Sequence, residues 1–278
     1  MRRSTLVLFA AGTTVFFVFA IGGLFALKNV VGVDSRGATS RRITVDSTLL
    51  GRKLDEIVVA PKGGADGRPV LVLLHGRGDS PGDFLTDDLF RILEGLGSEA
   101  PALVLVNGGD HSYYHDRADG PWGRYVLEEA LPAGITKLHA DPNRVAIAGF
   151  SMGGWGALDL AIEHPGLFCA AGGESAAMWP VAGEAPDGAF DDAQDFARHD
   201  VMAAARARAR PFAKTRVWIS VGTGDSFAPA DAELAQVLRT NGQPVSYLDG
   251  PGGHDLETFW AQAPDAFRFY ADALTDCR

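Results

Sequence analysis

The sequence predicts an α/β architecture: a mostly parallel sheet with helices on both faces. Short, branched apolar runs recur along the chain, each followed by Gly, Asn or Asp, with helically spaced stretches between them. Of the 278 residues, 46% are apolar, enough for one sizeable core, and the 34 glycines and 15 prolines show no period that would signal a repeat or a collagen-like chain.

The elements follow in order. Ile43 to Leu50 and Leu54 to Ala60 read as an opening antiparallel pair, after a polar linker near Asp34 to Arg42. Val70 to Leu74, Ala102 to Val106, Arg144 to Ala148, Leu167 to Ala171, Val217 to Val221 and Val245 to Leu248 read as the remaining strands. Helices fit Asp83 to Leu96, Trp122 to Leu138, Gly153 to Glu163, Pro229 to Thr240 and Leu256 to Leu274. Ser80-Pro81 with Asp83 supplies the first of these with a capping hydroxyl, a proline in the first turn and an early acid. Ser175 to Lys214 lacks a convincing strand and is rich in Ala, Asp and Arg. It reads as a largely helical excursion over one end of the sheet, either a lid or a solvated insertion.

The N-terminus is of another kind. Thr5 to Leu27 carries no charge, and 23 residues of helix reach about 34 Å, against about 30 Å of hydrocarbon. Residues 1–33 therefore read as an uncleaved anchor or a signal peptide, the latter with Val18-Phe19-Ala20 as a cleavage site, and 34–278 as the functional domain. Lys28, Arg36, Arg41 and Arg42 behind the span outnumber Arg2 and Arg3 before it, which opposes the orientation of an exported domain. An extracytoplasmic domain is still expected, because long domains translocate despite nearby charge.

Lys+Arg 25 against Asp+Glu 35 gives a net charge of −10, or −13 without Arg2, Arg3 and Lys28. Such a surface repels phosphate backbones and excludes nucleic-acid binding through a general basic face. Cys169 and Cys277 are too few for a zinc cluster and read as two ordinary thiols, with a single bridge as the alternative.

The chemistry centres on a serine. Gly149-Phe150-Ser151-Met152-Gly153 satisfies G-x-S-x-G between an apolar strand and a helix, a sharp turn that needs small residues on both sides. Two further signals follow in the order Ser, acid, His: Gly222-Thr223-Gly224-Asp225 after one strand and Gly252-Gly253-His254 after the next. His254 is expected to take the Ser151 proton while Asp225 fixes the imidazole tautomer. Glu174, at the end of the preceding apolar run, is the rival acid. The oxyanion donors are assigned to the backbone N–H groups of Met152, next to the serine, and Arg77, in Leu74-His75-Gly76-Arg77-Gly78 after an apolar strand. Tyr113, Tyr114 and Trp122 lie in or near a loop at the end of a strand and offer aromatic surface to an acyl or aryl group. His111 and His115, four apart, would present two metal ligands on a helix, but they follow Gly108-Gly109, so a loop without metal is expected.

These residues resemble the α/β-hydrolase superfamily, and within it the putative-esterase family of S-formylglutathione hydrolases, feruloyl and siderophore esterases and mycolyltransferases. The likeness covers roughly Leu54 to Leu274 and is most specific in Gly149-Phe150-Ser151-Met152-Gly153-Gly154-Trp155-Gly156-Ala157-Leu158. Ser112-Tyr113-Tyr114 through Trp122, and Glu128-Glu129-Ala130-Leu131-Pro132, are similar to the aromatic segment and helix that precede the serine there. The resemblance implies an α/β-hydrolase fold and esterase activity on a small-molecule or lipid-like ester, without a cofactor. It carries over the roles of Ser151, Asp225 and His254 but no particular substrate. Two other readings stand beside hydrolysis: transfer of the acyl group to an alcohol or sugar, and a catalytically silent binding module on the same scaffold.

Overall fold

In the computed structural model, residues 32–277 are described. Thr39–Ser47 (β1) and Arg52–Ala60 (β2) form an antiparallel hairpin, so the polar linker is shorter than expected and the first strand begins four residues earlier than its apolar run. Then come Val70–Leu74 (β3), Asp87–Leu96 (α1) and Ala102–Val106 (β4). A two-stranded ribbon of Asp116–Arg117 (β5) and Gly120–Pro121 (β6) leads into a helix in three pieces (α2): Trp122–Arg124, a π-helical Tyr125–Ala130, and Leu131–Leu138. Val145–Phe150 (β7), Met152–Glu163 (α3), Ala170–Glu174 (β8), Arg216–Gly222 (β9), Ala228–Thr240 (α6), Val245–Gly250 (β10) and Leu256–Asp276 (α7) complete the frame. Between β8 and β9 lie Ala193–Arg198 (α4) and Val201–Ala207 (α5).

The main sheet runs β1-β2-β4-β3-β7-β8-β9-β10. Its β1–β2 and β2–β4 pairs are antiparallel and the rest are parallel. This is an α/β-hydrolase-like arrangement. The central strands are buried on both faces, and alternation divides their side chains. Val70, Val72, Leu74, Val104, Val106 and Ile147 pack with Leu131, Leu158 and Leu234 of α2, α3 and α6. Leu71, Leu73, Leu103, Leu105, Ala148 and Phe150 pack with Leu89 and Leu93 of α1 and with Phe259, Phe267 and Tyr270 of α7. Removing a buried leucine from such a layer costs about 2–5 kcal/mol.

Several expectations are corrected. The stretch read as one helix from Asp83 starts as a 3₁₀ turn, Pro81–Phe84, where Ser80 and Asp83 cap each other; α1 begins afterwards with Thr86 as its N-cap. Strand β8 lies three residues later than its apolar run because Leu167 is exposed and Gly172-Gly173 continue the strand. A Cβ at Gly172 would collide with the Tyr270 hydroxyl, so the glycine serves close packing of α7 on the sheet and not a turn. The 175–214 excursion holds a 3₁₀ turn, α4 and α5 in otherwise irregular chain, rather than being largely helical. Cys169 and Cys277 are joined in a disulfide: α7 lies across β7, β8 and β9 and brings its end back to the start of β8, with the two Cα atoms 5.6 Å apart.

The Thr5 to Leu27 segment lies outside the described residues. Among the described residues no helix is long and apolar enough to cross a membrane.

Candidate active site

Strand β7 ends one residue before Ser151 and α3 begins one residue after it. Ser151 has φ 55° and ψ −113°, a left-handed conformation that side chains adopt at a cost of about 1–3 kcal/mol. The turn is held by the Ser151 N–H, which donates to Glu174 O at 3.0 Å, and by the close approach of Gly149 and Gly153 to each other and to the Leu74 backbone. A Cβ at Gly149 would stand 2.6 Å from Leu74 O. Glycine is required there, and Ser151 is lifted to the C-terminal edge of the sheet.

The loops after β9 and β10 are bound to each other. Thr223 N–H donates to Gly250 O at 2.7 Å and Gly224 N–H to Gly252 O at 2.8 Å. Gly222 packs so closely on Gly252 that a Cβ would lie 2.6 Å from its carbonyl. This brings Asp225 and His254 together: His254 Nδ1 is 2.8 Å from Asp225 Oδ2, and His254 Nε2 is 2.8 Å from Ser151 Oγ. An ionised carboxylate only accepts, so Nδ1–H is the donor to Asp225 and the Nε2 lone pair is left to accept the Ser151 hydroxyl. Burial pushes the Asp225 carboxyl up, but hydrogen bonds from His254 and from the Phe227 N–H outweigh it and hold the group below its ordinary range.

Around the imidazole, Phe150 stacks at 5.1 Å and Phe227 meets it edge-on at 5.2 Å, which confines the ring to the plane of both bonds. Sequence reasoning passed over both phenylalanines, although each stands within two residues of Ser151 or Asp225.

Met152 is the first residue of α3, where peptide N–H groups lack helical acceptors and favour negative charge. Arg77 lies in the loop after β3. Its neighbours are tied: Gly78 N–H donates to Asp110 O at 3.0 Å and Asp79 N–H to Gly76 O at 3.2 Å. His75 also escaped the sequence reading. It is buried, its Nε2 accepts the Gly108 N–H at 3.1 Å, and its Nδ1–H therefore donates to Gly76 O at 2.8 Å. That carbonyl belongs to the same peptide plane as the Arg77 N–H, so His75 fixes where this donor points. Burial lowers the His75 pKa and keeps the ring neutral, as the bonding requires.

Other candidates are placed elsewhere. Glu174, the rival acid, is buried on Tyr270, whose hydroxyl donates to it at 2.5 Å, and burial pushes it up to about 7; no bond joins it to His254. Tyr114 is fully buried, its hydroxyl donating to His75 O at 3.2 Å, and Trp122 is buried against Tyr125 and beneath Arg52. Both pack the core instead of offering a surface to a ligand. Tyr113 is also buried but sits among Trp179 and Phe190 of the excursion, with the Arg77 guanidinium near its hydroxyl. Trp179 in turn meets Phe227 at 5.6 Å, so the excursion flanks the His254 side of the site. His111 and His115 lie in a loop and diverge, the first facing Asp110 and the second Asp195.

The model of a family described as putative esterase matches residues 47–270. An esterase of Mycobacterium tuberculosis is 33% identical over 114 residues, which are 38% of this chain and 25% of that protein; the chain thus spans a quarter of the length of that relative. The diacylglycerol acyltransferase/mycolyltransferase Ag85A of Mycobacterium tuberculosis is 28% identical over 255 residues, covering 80% of this chain and 71% of that protein. Among solved structures, a ferulic acid esterase superposes with a TM-score of 0.74 at 22% identity, covering 85% of this chain and 98% of the other.

Proposed function

The chain belongs to the putative esterase family, within the α/β-hydrolase superfamily, and on that premise we propose that it is a serine hydrolase acting on a carboxylic ester of a small or lipid-like molecule. The observation that supports this most is the single imidazole within 2.8 Å of both a serine hydroxyl and a carboxylate. In this reading Ser151 Oγ attacks the acyl carbon as His254 Nε2 takes its proton, and Asp225 stabilises the imidazolium so formed. The Met152 and Arg77 N–H groups receive the oxyanion; each such donor is worth about 10²–10³ in kcat. His254 returns the proton to the departing alkoxide, leaving an acyl-Ser151 ester that water, activated by the same imidazole, then cleaves.

Acyl transfer uses the same first half, with an alcohol in place of water. Similarity over 80% of the chain to a protein named acyltransferase/mycolyltransferase favours keeping it as the second reading. An extracytoplasmic location, with residues 1–33 as anchor or signal, is part of the proposal. The Cys169–Cys277 disulfide supports it, since such bonds persist in oxidising compartments.

Turnover of p-nitrophenyl esters of graded chain length, with wild type and Ser151→Ala, tests the reading. Turnover lost in the variant, together with fluorophosphonate labelling of Ser151 in the wild type, is the expected result. A wild type that neither labels nor cleaves any ester overturns it in favour of a silent binding module. Acylated product on adding a sugar acceptor separates transfer from hydrolysis.

A further inference from the structure

Away from the Ser151 site, a cluster of titratable side chains joins the 175–214 excursion to α3. Asp159 and Glu163 stand one turn apart on α3, hence on one face of it. His199, at the C-terminal end of α4, comes down on them: its Nδ1 is 2.8 Å from Asp159 Oδ2 and 3.8 Å from Glu163 Oε1. The three ligand atoms all lie within 4.8 Å of one another.

The hydrogen bond to Asp159 accounts for half of this arrangement. Glu163 stops beyond hydrogen-bonding distance, and two carboxylates on one turn repel each other unless a cation lies between them. A tetrahedral ion with bonds of about 2.0–2.1 Å separates its ligand atoms by about 3.3 Å, and the two observed separations bracket that value. One imidazole with two carboxylates suits an ion of borderline softness better than Ca²⁺ or Mg²⁺, which collect oxygens.

Behind His199 stands the support that ligating imidazoles usually have. Its Nε2 faces Asp195 Oδ1 at 3.9 Å. Asp195 is fully buried and fixed by His115 Nε2 at 3.0 Å, the Asp191 N–H at 2.9 Å and Arg198 at 2.8 Å. A carboxylate on the far nitrogen orients the ring and raises its basicity toward a metal. In front, a cavity of about 430 Å³ lined by Asp159, Glu163, His164 and His199 gives entry and room for a water. Of the arginines on that cavity, Arg198 is engaged by Asp195 and Arg208 is exposed to solvent.

We propose that Asp159, Glu163 and His199 bind one divalent transition-metal ion of the Zn²⁺ type, its fourth position open to solvent, and that the ion clamps the excursion onto the helix that starts at Ser151. The ion takes no part in the ester chemistry, so the proposal stands or falls independently of that reaction.

The test uses the full chain without a histidine tag, stripped with EDTA and titrated with Zn²⁺ by calorimetry, with melting temperature as a second readout. One Zn²⁺ per chain and a rise in melting temperature are expected. Glu163→Ala, at a half-exposed position that leaves the His199–Asp159 bond intact, should weaken binding at least tenfold and remove the thermal shift; His199→Gln should abolish both. No saturable binding by the wild type, or binding that both variants leave unchanged, overturns the proposal. An equal thermal shift with Ca²⁺ or Mg²⁺ overturns the assignment to a transition metal.

Discussion

The disulfide gives the most quantitative expectation. Cys169 and Cys277 are 108 residues apart in sequence, and the chain-entropy relation for a closed loop of that size assigns the cross-link about 4.8 kcal/mol of stabilisation at 25 °C. Cys277→Ser removes the link where the side chain is only half-buried, so little packing is lost with it. In a domain of this size each kcal/mol moves the midpoint by about 2–4 °C, which puts the expected fall at roughly 10–19 °C. Melts followed by circular dichroism compare wild type, the variant, and wild type with reductant; the last two should coincide. If mass spectrometry finds the bond intact in the wild type and the variant melts within about 3 °C of it, the reasoning fails. The end of α7 would then open locally before the sheet does, and the loop-closure entropy would not bear on global unfolding.

Three other outcomes are expected. His75→Phe removes both bonds that set the Gly76–Arg77 peptide, and kcat for an ester should fall about 10–100-fold with KM changed less than threefold, because a misaimed oxyanion donor is felt chiefly in the transition state; unchanged kcat in steady-state assays would remove His75 from the site. Gly172→Ala drives a methyl into the Tyr270 hydroxyl and should cost about 1–3 kcal/mol in urea unfolding, where an unchanged midpoint would show that α7 can shift away freely. Burial raises Glu174 to about 7 from the usual 4.5, so the fold favours its neutral form: that stability is fully present below about pH 4.5 and is lost as pH rises through 7, roughly 3 kcal/mol across the window. Glu174→Gln should flatten the decline in stability between those pH values, leaving the part due to Glu56, which burial also raises to about 7.

Much of this fold was legible because it is written in local pattern. Val70–Leu74 and Ala102–Val106 are continuous branched runs of strand length and fall where the structure has them. The same logic misplaced β8, since Ala170-Ala171-Gly172-Gly173-Glu174 looks like a turn until Tyr270 and Leu158 are known to press on the two glycines. The disulfide was hidden for the same reason: whether Cys169 and Cys277 meet depends on the path of the 21-residue α7 across the sheet, and no short-range signal fixes that path.

The site divides along this line. Its framework is backbone: Gly149 and Gly153 against Leu74, and Gly222 against Gly252, are contacts that only glycine permits, and glycine next to Ser, Asp or His at a strand end is visible in a bare sequence. What surrounds the framework is side chain meeting side chain across long separations, Trp179 on Phe227, Tyr113 on Phe190, His199 on Asp159, and each pairing depends on where the 175–214 excursion settles. The chemistry offered at Ser151 is therefore set by short motifs, while the shape presented to a substrate is set by the excursion. Substitutions at Trp179 or Phe190 should accordingly shift preference among acyl chain lengths, and those at Gly149 or Gly153 should abolish activity on every ester; a Trp179→Ala variant with an unaltered chain-length profile would detach the excursion from selectivity.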